Sequence, residues 1–180
     1  MKRWVLALAV LGLAGCGTPV AGKAVPGAAP AAEPDAGVVR WVNNFCAVAE
    51  YMVASGGVQF QPPEGDPAEA KKAVSESLGR VVDVLDVVLH DLGELTPAPE
   101  PAADAAVEVI VEPLGQARDK FAKAKSTVDG APELSVEVYS SAIQDMTEAV
   151  TVMNDAVEKM GVVSLPEEYK DAAEHAENCS

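Results

Sequence analysis

The chain has 180 residues, 49% of them hydrophobic but only 4% aromatic, and a formal net charge of −15. That length holds one ordinary domain plus appendages, and a core drawn mostly from Ala, Val, Leu and Met suits packed helices better than a sandwich or barrel. So acidic a surface repels nucleic-acid phosphates and anionic lipid headgroups, which argues against a DNA- or RNA-binding role and against electrostatic docking on membranes.

The first segment reads MKRWVLALAVLGLAGC. Lys2 and Arg3 give a positive start, and Trp4 to Leu13 follow as an apolar stretch. It is about half the ~20 residues that a membrane-spanning helix needs, and matches the apolar part of a signal peptide. Leu13-Ala14-Gly15-Cys16 resembles the bacterial lipobox, an aliphatic and two small residues before a cysteine. The resemblance implies diacylglyceryl transfer to the Cys16 thiol and cleavage between Gly15 and Cys16. Small residues let a protease reach the backbone, and a thiol is a strong nucleophile for lipid attachment. Two or three acyl chains on one residue exceed the marginal anchoring of a single chain. Loss of the first fifteen residues, which carry Lys2 and Arg3 and no acid, takes the net charge to −17.

Next comes GTPVAGKAVPGAAPAAEP, where Pro19, Pro26, Pro30 and Pro34 stand among Gly and Ala. Such a segment builds no core and favours extended conformers, so residues 16–35 are read as a tether of ~40–50 Å at about 3 Å per residue. The lipobox followed by GTPVAGKAVPG resembles the mature start of small lipoproteins from high-GC actinobacteria, mycobacterial relatives included. That likeness covers about the first thirty residues and implies a location, not an activity.

Residues 36–180 are expected to form a helical domain. Four segments carry apolar residues at alternating steps of four and three, which places each set on one stripe of a helix. The first is Val38, Val42, Phe45, Ala49, Met52, ended by Gly56-Gly57. Asp66-Pro67-Ala68-Glu69 is a capping box with Pro at the first helical position, and opens the second: Val74, Leu78, Val81, Leu85, Val88, Leu92. After the connector TPAPEP, Pro101 opens the third: Ala103, Val107, Ile110, Leu114, Ala117, Phe121, Ala124, Val128. The fourth is Tyr139, Ile143, Met146, Val150, Met153, Val157, Met160. Gly130 and Gly161 are expected to cap the third and fourth, and Ser164-Leu165-Pro166-Glu167 to start a short fifth helix. The predicted fold is all-α, a four-helix bundle with a short C-terminal fifth helix. Some local signals disagree: Val107 to Glu112 and Val136 to Tyr139 alternate like strands, and Pro113 should kink or split the third helix. An α+β fold is the alternative.

Once Cys16 is lipidated, Cys46 and Cys179 remain. In the oxidising compartment reached by export, two thiols usually pair, and this bridge would pin the last helix to the first. Free or redox-active thiols are the alternative, although no C-x-x-C is present.

Chemistry is sparse. His90 and His175 show no paired-ligand spacing, and neither G-x-S-x-G nor a phosphate loop occurs. Met52, Met146, Met153 and Met160 could ligate Cu(I), but at stripe positions methionine ordinarily fills gaps in a core. Asp83 and Asp86 interrupt VVDVLDVVL between stripe positions, as an exposed flank would. Arg118, Lys120, Lys123 and Lys125 gather positive charge late in the third helix, where it complements the helix dipole or forms a docking patch for an acidic partner.

The expected function is therefore that of a membrane-anchored extracytoplasmic lipoprotein acting as a non-catalytic binding or interaction module of the cell envelope. The alternative is a carrier for an apolar small molecule or lipid within the bundle. No cofactor or metal is expected. The expected partners are the membrane, through lipid on Cys16, and an envelope protein or apolar ligand, with no nucleic acid.

Overall fold

The structure, a computed structural model, describes residues 33–55, 66–160 and 165–179. Cys16 with the whole of residues 1–32, Gly56-Gly57, Gly161 and Ser164 lie outside the described residues, as does the side chain of Met160. The body, Glu33–Ser180, forms one compact unit. It is all-helical: α1 (Ala36–Ser55), α2 (Pro67–Gly93), α3 (Pro101–Gly130), α4 (Val136–Met160) and the short α5 (Glu167–His175), closed by a 3-10 turn at Glu177–Cys179. Among the described residues there is no strand.

Helix starts follow the local chemistry. The Asp35 carboxylate accepts from the backbone amides of Gly37 (2.7 Å) and Val38 (3.3 Å) and so caps α1. Asp66 caps α2 in the same way through Ala68 (2.8 Å) and Glu69 (3.4 Å), with Pro67 at the first position. Pro101 opens α3. α5 starts instead from Pro166 with no side-chain cap, so the expected capping box there is corrected. Gly130 is the last residue of α3 rather than its cap, which is Ala131.

Helices pack in chain order. α2 lies beside both α1 and α3, α4 lies along α3, and α5 with the 3-10 turn lies on α1. The α3 stripe is the spine of the core: all eight of its expected residues are buried, with Ala103, Ala117, Ala124 and Val128 fully so. That burial outweighs the Pro113 defect. A proline removes one intrahelical hydrogen bond at a cost of about 3 kcal/mol, and one fully buried Ile or Leu recovers ~1.5–3 kcal/mol. Ile110 and Leu114 flank the proline, and α3 runs through it unsplit. The strand-like alternations at Val107 to Glu112 and Val136 to Tyr139 are likewise overruled and sit in α3 and α4.

Two stripes are corrected. In α1 the buried face is Val38, Trp41, Val42 and Val48, and Ala49 is exposed. In α4 the deeply buried residues are Ala142, Asp145, Met146, Ala149 and Ala156, whereas Val150 and Val157 are 49% and 59% exposed. The physical reason is distance: alanines let α4 approach α3 closely, and a valine at those positions would hold the helices apart. The larger side chains of α4 are turned to its other edge.

Candidate functional site: an apolar groove beside the fourth helix

Among the described residues α4 has no close helical neighbour along that other edge comparable to α3. The space it leaves is a groove with a cavity volume of about 560 Å³. Its α4 wall is Ile143, Met146, Thr147, Val150 and Met153. The last turn of α1 contributes Met52, Val53 and Ser55, the middle of α2 contributes Val81, Val84 and Leu85, and Phe121 of α3 reaches in from the core. Among the described residues no charged side chain lines it. The two polar members are hydroxyls, and Thr147 Oγ1 donates to the Ile143 carbonyl oxygen at 2.8 Å, leaving its lone pairs free to accept. Val53, 77% exposed, stands on the rim. Three methionines supply flexible, polarisable surface that adapts to an irregular occupant.

The expected docking patch has a different geometry. Arg118 Nε donates to Asp86 at 2.8 Å and its Nη1 to Asp119 at 3.2 Å. Lys120 pairs with Glu148 at 2.7 Å, Lys123 with Asp145 at 2.7 Å, and Lys125 with Asp129. Each of the four cations thus has a carboxylate partner in the chain. Donating to Asp86, then to Asp119, raises the Arg118 guanidinium above its ordinary value, and donating to Asp145 does the same for the Lys123 ammonium. Conversely Lys120, then Gln144, holds Glu148 below the usual carboxylate value, and Lys125, then Ser75, holds Asp129 down. Arg118–Asp86 fastens α3 to α2, Lys120–Glu148 and Lys123–Asp145 fasten it to α4, and Lys125–Asp129 lies within α3. Asp145 is the notable one, a buried carboxylate with Oδ1 on Lys123 and Oδ2 without a hydrogen-bond partner.

Cys46 and Cys179 form a disulfide with Cα atoms 5.2 Å apart. Beside it, Asn178 donates its backbone amide to Asn43 Oδ1 at 2.9 Å and its side-chain amide to the Asn43 carbonyl oxygen at 3.3 Å. Tyr169 of α5 packs edge-on against Trp41, 5.4 Å between ring centres, and Trp41 stacks on Phe45 at 5.5 Å. Burial pushes the Tyr169 hydroxyl above its ordinary value. His90 is exposed in the last turn of α2, and His175 borders an open, more polar hollow with Arg40 and Glu33. Asp83 and Asp86 are exposed. Among the described residues no cluster of three or more His, Cys, Asp or Glu could hold a metal ion, and no helix is long and apolar enough to cross a membrane.

Sequence reading assigned Met52, Ile143, Met146, Val150 and Met153 to the core and singled out no groove. The available signal was α4 itself, which carries a second heptad-spaced apolar set, Ala142, Ala149 and Ala156, beside the larger one. A helix with two apolar edges and one packed neighbour leaves one edge unfilled. Comparison of the chain with protein-family models, with curated proteins and with solved structures returns no match.

Proposed function

We propose that the protein is an extracytoplasmic lipoprotein, held to the membrane through lipid on Cys16, that binds an apolar ligand in the groove beside α4 and performs no catalysis of its own. The observation that carries this reading is a charge-free groove on a chain of net charge −15. Contiguous exposed apolar surface is costly on a soluble domain and marks a binding site. The groove volume lies within the ~300–1,000 Å³ common for small-molecule sites. The lipobox residues and the proline-rich tether support the anchored location, and the resemblance to actinobacterial lipoproteins agrees with it.

A test is native mass spectrometry of the chain from residue 17 onward, exported to an oxidising compartment. The expected result is an adduct lost under denaturing conditions, or one formed when long-chain amphiphiles are added. A chain that stays bare with every amphiphile overturns the ligand reading. The anchor is tested separately, by the mass of the mature N-terminal peptide and by membrane fractionation of a Cys16→Ser variant. An unmodified peptide in the native protein overturns it.

A protein partner is the second reading. Val150 and Val157, seven residues apart on one face of α4, are both exposed and give an apolar strip that a partner helix could cover. Cross-linking from that strip on the native membrane separates the two.

A further inference from the structure

We infer that the groove takes one long acyl chain carrying an uncharged, hydroxyl-bearing headgroup, an acylglycerol type of amphiphile, in preference to an anionic fatty acid, an assignment that rests on the apolar-ligand reading above. Shape comes first. From Ile143 to Met153 the α4 wall of the groove is uncharged, a run of about 15 Å at ~1.5 Å per residue. A long acyl chain matches that length and is slender. A helix ~10–12 Å across would need roughly 1,200 Å³ over the same length, against the 560 Å³ present, so it would rest on the rim.

Charge then selects the head. Among the described residues no cation lines the groove, and Arg118, Lys120, Lys123 and Lys125 are each engaged by a carboxylate. Arg80, next to Val81 in sequence, donates to Ser77 Oγ on its own helix at 3.0 Å. The sequence neighbours of Val84 and Thr147 are the acids Asp83 and Glu148. A carboxylate head would arrive at an acidic body with no cation waiting among the described residues, and a second copy of the chain would bring one acidic surface against another. A neutral head avoids both costs. Thr147 Oγ1 has already given its proton to Ile143, so it can accept from a hydroxyl but offers nothing to a carboxylate.

The experiment titrates the chain from residue 17 onward with monomyristoylglycerol and with myristate, each below its aggregation threshold, by calorimetry at ~0.15 M salt. Monomyristoylglycerol is expected to bind one to one and at least about tenfold more tightly than myristate. Val150→Lys, at a half-exposed position whose fold is checked by circular dichroism, should shift that ratio at least about tenfold towards myristate. Equal or tighter binding of myristate by the native chain overturns the headgroup assignment and leaves the apolar groove standing. So does a ratio that Val150→Lys does not move. Binding of neither amphiphile overturns both, and sedimentation as a dimer with the groove protected would place a second copy there instead.

Discussion

Trp41 of α1 donates its indole N–H to the carbonyl oxygen of Leu95, 2.8 Å away, joining the first helix to the turn that follows the second. Both residues are buried, so the bond cannot be replaced by water. Trp41→Phe removes the donor and strands a buried carbonyl, which costs about 1–3 kcal/mol. Thermal unfolding followed by circular dichroism should show a lower Tm for the variant, and an unchanged Tm would show that the bond contributes nothing net.

The disulfide closes a loop of 133 residues between Cys46 and Cys179. In the chain-entropy account a loop that long stabilises by about 5 kcal/mol, and removal of native bridges costs ~2–5 kcal/mol. The double variant Cys46→Ala, Cys179→Ala should lose stability within that range in urea unfolding. Hydrogen exchange should rise first in α5 and the 3-10 turn, which are then held on α1 by Asn43–Asn178, the Trp41–Tyr169 contact and the buried Ala172 and Ala176.

Close approach of α4 to α3 depends on residues without bulk. Ala117 and Ala124 of α3 and Ala149 of α4 are fully buried, and Ala142 nearly so. Ala149→Leu should destabilise by about 1–3 kcal/mol through overpacking. Val157→Thr, on the exposed edge, should leave the unfolding midpoint within ~0.5 kcal/mol of the native chain. Equal effects from the two would contradict the arrangement of α4.

Acid should weaken the seams on either side of α3. Glu148 and Asp129 are held below their ordinary values of 4.5 and 3.8, by Lys120 and Lys125 foremost. A depressed carboxylate contributes stability that is complete above its unfolded-state value and is lost as pH falls through its folded-state value. The native chain should therefore be more stable than the Glu148→Gln, Asp129→Asn variant at about pH 7, with the gap closing as pH falls below the ordinary carboxylate values and through the lowered folded-state ones. Comparing the two cancels the general self-repulsion of an acidic chain. Both pairs are exposed, so the gap should be small and shrink with salt. A gap that widens on acidification would reverse the assignment.

The legibility of the sequence differed from helix to helix for physical reasons. α2 and α3 read cleanly because each has packed neighbours on the side of its apolar stripe, and Asp66-Pro67 and Pro101 mark their starts by chemistry that acts within a turn. The cysteine pairing followed from there being two thiols left after Cys16. α4 misled because apolar size and close packing pull in opposite directions. Val150 and Met153 outrank Ala149 in hydrophobicity, yet the alanines make the contact and the larger residues face the groove. Ala49 was misplaced for a related reason: Trp41 and Val48 define a face of α1 turned from the regular heptad count. The groove was illegible as a groove because the two apolar sets of α4 mark a second edge without showing whether a neighbour fills it.

α4 is fastened along one edge only, as a page is by its spine. The seam of alanines against α3 fixes where it is bound, but nothing of comparable extent fixes how far its free edge leans from α1 and α2. The groove thus joins two unlike walls: Leu85 and Phe121 belong to the buried α2–α3 core, whereas Ile143 to Met153 stand on the helix held along a single seam.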